Sequence, residues 1–149
     1  MSAHTYSQLP PSRFSILVVD DYAKMVTMIR RMLLQLGFAN SFGAHDGRDA
    51  LNMVLRGHIH LVISDLYMQK MDGMTLLSEI RADPVLKDIP FIMVTAANDL
   101  DRVVEAKHAG VTDYIVKPFS LATLKAKLNS TLGRVSEMKR APSRPLEPR

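Results

Sequence analysis

Several short apolar runs in this 149-residue chain end in residues that could do chemistry. Ser15-Ile16-Leu17-Val18-Val19 ends at Asp20-Asp21, His60-Leu61-Val62-Ile63-Ser64 ends at Asp65, Pro90-Phe91-Ile92-Met93-Val94 ends at Thr95-Ala96, and Val111 to Val116 runs into Lys117. Three carboxylates brought into one cleft repel one another, and a hard cation relieves that repulsion. An all-oxygen ligand set suits Mg²⁺, which keeps several waters and takes one or two carboxylates. The Thr95 hydroxyl and the Ala96 backbone N–H can donate to an anion, and Lys117 adds a compact positive charge. With Asp65 as the nucleophile, these groups would stabilise the charge spread over a transferring phosphoryl group.

Such residues meet only if the chain places strand ends side by side. Apolar runs of about four to eight residues bounded by turns read as buried strands, and strands alternating with helices read as a parallel α/β sheet. The first helix follows Asp21 with a stripe of Met25, Met28, Ile29, Met32, Leu33 and Leu36, closed by Gly37 as a C-terminal cap. Residues 39–44 can hold a second strand. His45-Asp46-Gly47-Arg48-Asp49 then offers an N-cap to a helix that buries Ala50, Leu51, Val54 and Leu55. Leu76, Leu77 and Ile80 mark a third helix, closed near Asp83-Pro84. Asp99 and Asp101 open a fourth, which carries Val103, Val104 and Ala106 and closes at Gly110. Ser120 can cap the last helix, with Leu121, Leu124, Leu128 and Leu132 at helical spacing.

The expected fold class is therefore α/β: five β-α units as a (βα)5 doubly wound parallel sheet, with right-handed crossovers putting helices on both faces. In the flavodoxin-like strand order 2-1-3-4-5 the switch point falls between strands one and three. Ligands bind at the carboxyl ends of the strands there, which is where Asp20, Asp21 and Asp65 would lie.

Composition narrows the function. The length and 47% hydrophobic content allow one sizeable core. The expected organisation is a flexible segment over 1–13, one domain over 14–136, and a basic, proline-containing tail over 137–149. There is no cysteine, which excludes disulfides, thiolate metal sites and cysteine nucleophiles. The formal charge is +4, yet Lys plus Arg and Asp plus Glu are balanced at 13 each from 14 to 133. The excess sits at Arg13 and beyond residue 133, where Arg134, Lys139, Arg140, Arg144 and Arg149 outweigh Glu137 and Glu147, so a DNA-binding face is not expected. Met1 to Arg13 lacks the apolar core of a signal peptide, and no apolar run approaches membrane-spanning length, so a cytoplasmic protein without membrane insertion is expected. His58 and His60 sit two apart while His4, His45 and His108 are scattered, and none forms a metal motif.

Val18-Val19-Asp20-Asp21, Asp65 with Met71-Asp72-Gly73, Val94-Thr95-Ala96, and Lys117-Pro118-Phe119 followed by Ala122-Thr123-Leu124 together resemble the response-regulator receiver domains, within them the CheY-like single-domain members. The resemblance spans about 15–135. It implies that Asp65 accepts a phosphoryl group from a sensor histidine kinase or a histidine phosphotransfer protein. It also implies that Asp21, Asp65 and the Tyr67 backbone carbonyl bind Mg²⁺, with Mn²⁺ as a substitute and Asp20 acting through water. Thr95 and Lys117 would contact the phosphoryl oxygens, and the Lys117-Pro118 bond would be cis. Tyr114 matches the family's aromatic switch, which turns inward as Thr95 is drawn to the phosphoryl group. The output face would be the fourth helix, fifth strand and fifth helix, binding a downstream protein, with the molecule monomeric before phosphorylation and a dimer permitted after it.

Two positions depart from the family pattern. Gln69 replaces a common proline, which predicts a looser loop after Asp65. Tyr67 stands where a small or polar residue is common; with Ala97, two residues after Thr95, it would flank the route of the hydrolytic water and slow it. The expected function is a stand-alone phosphorylation switch, with self-catalysed phosphorylation and dephosphorylation rather than turnover of a separate substrate, and chemotaxis as a candidate pathway. The alternatives are an intermediate carrier in a phosphorelay and a binding-only receiver whose Arg-rich tail engages phosphate-containing ligands. An aspartyl phosphatase needs a second acid two residues after its nucleophile, where Tyr67 stands. A nucleotide-binding protein needs a glycine-rich phosphate loop that the chain lacks.

Overall fold

The computed structural model describes residues 10–139, with side chains described as far as residue 133. The expected amino-terminal segment through residue 9, and Arg140, Arg144 and Arg149 of the basic tail, lie outside the described residues. A 3-10 turn at Pro11–Arg13 leads into β1 (Ile16–Val19), α1 (Ala23–Gln35), β2 (Ser41–Ala44), α2 (Gly47–Leu55) and β3 (Leu61–Asp65). There follow α3 (Gly73–Ala82), β4 (Phe91–Ala96), a 3-10 turn at Ala97–Asp99, α4 (Asp101–His108), β5 (Asp113–Lys117) and α5 (Leu121–Lys139). All strand pairs are parallel, in the order β2-β1-β3-β4-β5. This is the flavodoxin-like (βα)5 arrangement expected from the sequence. Among the described residues no helix is long and apolar enough to cross a membrane.

The central strands β1, β3 and β4 are buried along nearly their whole length because both faces of the sheet are covered there, whereas the edge strands β2 and β5 are buried only in part. Side chains alternate, so each of these central strands feeds two cores. Leu17, Val19, Val62, Phe91 and Met93 pack with Ala50, Val54, Leu76, Leu77, Ile80 and Ala106 on the α2–α3–α4 side. Ile16, Val18, Leu61, Ile63, Ile92, Val94 and Ile115 pack with Val26, Ile29, Leu33, Leu124 and Leu128 on the α1–α5 side.

Caps set the helix ends. The Asp46 carboxylate accepts from Asp49 N at 2.8 Å, that of Asp72 from Thr75 N at 2.8 Å, and the Ser120 hydroxyl from Thr123 N at 3.1 Å. At the end of α4, Gly110 N–H donates to Lys107 O and Val111 N–H to Ala106 O, with Gly110 at φ +97°. This Schellman pairing uses the Val111 backbone, so β5 begins at Asp113 rather than at Val111. Similarly, Gly37 and Phe38 close α1, and β2 starts only at Ser41.

Three helical residues expected inside are outside. Met28 is exposed and Val26 takes the inward position, because the buried arc of α1 is narrower than its apolar stripe. Leu55 and Val104 are also exposed, each about 100° round the helix from the inward Val54 and Val103. Arg81, from the last turn of α3, donates to Gly110 O, Lys87 O and Ile89 O at 2.7–2.9 Å, pinning α3 to the loops that enter β4 and β5. The Lys117-Pro118 bond is cis.

Candidate functional site

The site is assembled at the carboxyl ends of β1, β3, β4 and β5. Asp20 N–H donates to Ala44 O at 3.1 Å, which extends the β1 ladder by one residue and fixes Asp20 at the carboxyl end of that strand. Asp65 pairs with Val94, Thr95 with Val116, and Ala96 with Lys117. Single carboxylate oxygens of Asp20, Asp21 and Asp65 lie within 4.8 Å of one another. Asp20 and Asp65 are buried while Asp21 is exposed. Lys117 Nζ lies 2.8 Å from Asp65 Oδ1.

Burial pushes the Asp20 carboxyl above its ordinary range, and the Asp65 and Asp21 charges push it further. The Tyr22 N–H, which donates to Asp20 Oδ1 at 2.9 Å, and the Lys117 charge act the other way. Three carboxylates facing one ammonium leave excess negative charge. All-oxygen donors, closely spaced and partly open to solvent, fit a hard divalent cation such as Mg²⁺. Thr95 is buried, and its hydroxyl has only a long 3.4 Å hydrogen bond to Ala96 O. A stronger acceptor placed in the crevice could draw it away.

The loop after Asp65 is more firmly held than Gln69 in place of proline suggests. Leu66 N–H donates to Val94 O at 3.0 Å, Met71 N–H to Gln69 O at 2.7 Å and Gly73 N–H to Leu66 O at 2.8 Å. Lys70 adopts φ +68°, and its ammonium lies 3.7 Å from Asp46. Gly47 N–H, at the start of α2, donates to Met71 O at 3.1 Å. Two glycines make this closeness possible: a Cβ on Gly47 would overlap Met71 O, and one on Gly73 would overlap Asp65 O. Sequence reading gave Gly47 only a place in a helix start, because the backbone it touches is distant in the chain.

The remaining expected positions are placed as follows. Tyr67 is 48% exposed, and its hydroxyl reaches Asp99 and Arg102. Ala97 is exposed at the start of the 3-10 turn after β4. Tyr114 is half-buried on β5, with Lys127 Nζ 4.8 Å and Lys107 Nζ 5.9 Å from its ring centroid. Lys127 also pairs with Asp113 at 3.0 Å. The partners of Tyr67 and Tyr114 were not legible in the sequence, since they come from other elements and carry no motif.

The family model described as response regulator receiver domain matches residues 16–129. The chain is 44% identical over 120 residues to chemotaxis protein CheY-3 of Vibrio cholerae, covering 80% of this chain and 92% of that protein. It is 42% identical over 121 residues to chemotaxis protein CheY of Pseudomonas aeruginosa, covering 81% and 98%. Among solved structures it is similar to the chemotaxis response regulator CheY4 of Vibrio cholerae, with TM-score 0.73 and 30% identity over 79% of this chain and 98% of that one. A response regulator receiver domain protein from Clostridium thermocellum gives TM-score 0.75 and 26% identity over 84% and 98%.

Proposed function

The chain belongs to the response regulator receiver family, and from that premise we propose that it takes a phosphoryl group onto Asp65 and converts it into altered protein binding. The observation that carries this reading is the Asp65 carboxylate held 2.8 Å from Lys117 Nζ and within 4.8 Å of Asp20 and Asp21. The donor is a phosphohistidine on a sensor kinase or a histidine phosphotransfer protein. An Asp65 carboxylate oxygen attacks phosphorus, the P–N bond breaks, and the imidazole leaves with the bonding pair. Lys117, the Thr95 hydroxyl and the Ala96 N–H stabilise the phosphoryl oxygens. Asp21, Asp65 and the Tyr67 carbonyl would hold Mg²⁺, with Asp20 acting through water; the ion supplies charge neutralisation when bound.

In the return reaction, water attacks phosphorus, the P–O bond to Asp65 breaks, and inorganic phosphate leaves. Tyr67 and Ala97 flank this route, and the bulk of Tyr67 retards the water. The signal passes through Thr95, drawn toward the phosphoryl group, to Tyr114 and the α4–β5–α5 face. One hydrogen bond supplies only about 0.5–1.5 kcal/mol, whereas a shift from 1:99 to 99:1 needs about 5.5 kcal/mol. Phosphorylation therefore biases the face, and the bound partner completes the change.

The relatives named for chemotaxis support that pathway, and a cytoplasmic location goes with it. The test is incubation with acetyl phosphate, with and without Mg²⁺, followed by intact mass. Wild type gains one phosphoryl group only with Mg²⁺, and Asp65→Asn gains none. An equal gain in the variant would contradict the reading.

A further inference from the structure

Tyr67 is held from outside the phosphoryl site. Its hydroxyl lies 3.2 Å from Asp99 Oδ1 and 3.3 Å from Arg102 Nη1. The phenol can thus donate to the carboxylate while accepting from the guanidinium, filling both roles that a hydroxyl offers. The Arg102 guanidinium also stands 5.7 Å from the Tyr67 ring centroid. Arg102 is steadied in turn by Glu105, one turn along α4, with 2.6 Å between Nε and Oε1.

The placement of this cluster gives it a consequence. Leu66 N–H bonds to Val94 O, so Tyr67 starts at the rim of β4, beside Thr95. Asp99 closes the 3-10 turn that follows β4, and Arg102 is in the first turn of α4. The tyrosine side chain therefore bridges from the acceptor's own loop to the segment beyond Thr95, across the ends of the two adjacent strands that carry Asp65 and Thr95. The Asp65 side chain is only 11% exposed, so the opening to it is narrow. An unheld tyrosine this exposed would swing among rotamers and would lie along that bridge only intermittently.

We infer that Asp99 and Arg102 are positioning residues that clamp Tyr67 at the mouth of the site and thereby lengthen the life of the Asp65 acyl phosphate. This rests on the reading of Asp65 as the phosphoacceptor. The step controlled is hydrolysis: a water oxygen bonds to phosphorus, the P–O bond to Asp65 breaks, Asp65 returns to a carboxylate, and the water proton leaves with inorganic phosphate or to solvent. Neither clamp residue touches the reacting atoms. They act only through the position of the ring.

The test loads the full chain with acetyl phosphate and Mg²⁺, removes the donor, and follows loss of the phosphoryl group by intact mass. Arg102→Ala and Asp99→Ala should each speed the decay about three- to tenfold, the scale set by losing one or two modest hydrogen bonds. Asp99→Asn keeps an acceptor oxygen for the phenol and should restore a decay near wild type, which a general effect of removing the aspartate would not do. Tyr67→Phe should decay fast, and adding Asp99→Ala to it should bring no further increase, because one interaction cannot be lost twice. Mg²⁺ affinity, measured in Arg102→Ala, Asp99→Ala and Asp99→Asn, should stay at the wild-type value. Wild-type decay in Arg102→Ala and Asp99→Ala, or decay in Asp99→Asn as fast as in Asp99→Ala, would overturn the clamp while leaving the acceptor in place. Failure of wild type to take up a phosphoryl group would overturn the acceptor and the clamp together.

Discussion

Lys117 Nζ reaches 2.8 Å from Asp65 Oδ1, although β5 and β3, which carry these residues, are separated by β4. The lysine therefore lies across the end of the strand bearing Thr95, where the proposed reaction would place the incoming phosphoryl group. Charge preorganised there costs no rearrangement when the group arrives. Lys117→Ala should slow phosphoryl uptake from acetyl phosphate on the order of 100-fold, the lower end for losing one such donor since the lysine is partly solvated. Stopped-time intact mass measures it, and an unchanged rate would remove Lys117 from the chemistry.

The crowded carboxylates make a stability prediction. The Asp20 carboxyl is raised by burial and then by its acidic neighbours, so its charged form costs stability near neutrality and the cost is relieved as pH falls through the raised value. Asp20→Asn keeps an acceptor for Tyr22 N–H while removing the charge. It should gain on the order of 1 kcal/mol without a divalent cation. Mg²⁺ at about 100 times its Kd should stabilise wild type by roughly 2.7 kcal/mol, and the variant by less. Thermal melts with and without Mg²⁺ read both, and equal increments would refute the shared site.

At the amino ends of β1 and β3, His60 Nδ1 accepts from Ser15 N at 2.9 Å and the imidazole stacks on Phe14 with centroids 5.0 Å apart. Burial, followed by the nearby His58, pushes the His60 pKa below its ordinary 6.5. The unfolded chain then takes up the proton first as pH falls, so the stabilisation is complete above 6.5 and declines below it, down to the folded-state value. Denaturation midpoints at pH 7.5 and 5.5 should show the loss in wild type, and His60→Asn should reduce it. An undiminished loss in the variant would place the acid sensitivity elsewhere.

Gly73 offers a structural control on the acceptor. A Cβ there would overlap Asp65 O and press on Met93 Sδ. Gly73→Ala should cost about 1–3 kcal/mol in urea denaturation, as overpacking does. It should also lower phosphoryl uptake, because the backbone of Asp65 has to give way. A variant as stable and as reactive as wild type would show that the loop yields freely.

Much of this was legible in the chain. The runs ending at Asp20, Asp65, Thr95 and Lys117 are local patterns, and apolar periodicity with cap residues fixes which segments are strands and helices. The order 2-1-3-4-5 then brings the ends together. Long-range contacts were not legible. Nothing in the local pattern singles out Arg81, yet it ties three carbonyls from two other loops. Gly47 looked like a helix start, and only the approach of Met71 explains why it lacks a side chain. Tyr67 was read for its bulk, whereas its partners Asp99 and Arg102 lie more than 30 residues away. Met28, Leu55 and Val104 went wrong because hydrophobicity marks a stripe, while packing decides how wide an arc is covered.

The central claim is that the phosphoryl group is carried by the carboxylate of Asp65. Borohydride reduces an aspartyl phosphate to homoserine, so peptide mass spectrometry after loading with acetyl phosphate and Mg²⁺, then reduction, identifies the carrier by residue. The account predicts homoserine at position 65, dependent on both donor and Mg²⁺. Homoserine at position 20 or 21, or a phosphoryl adduct that leaves no homoserine at all, would contradict it.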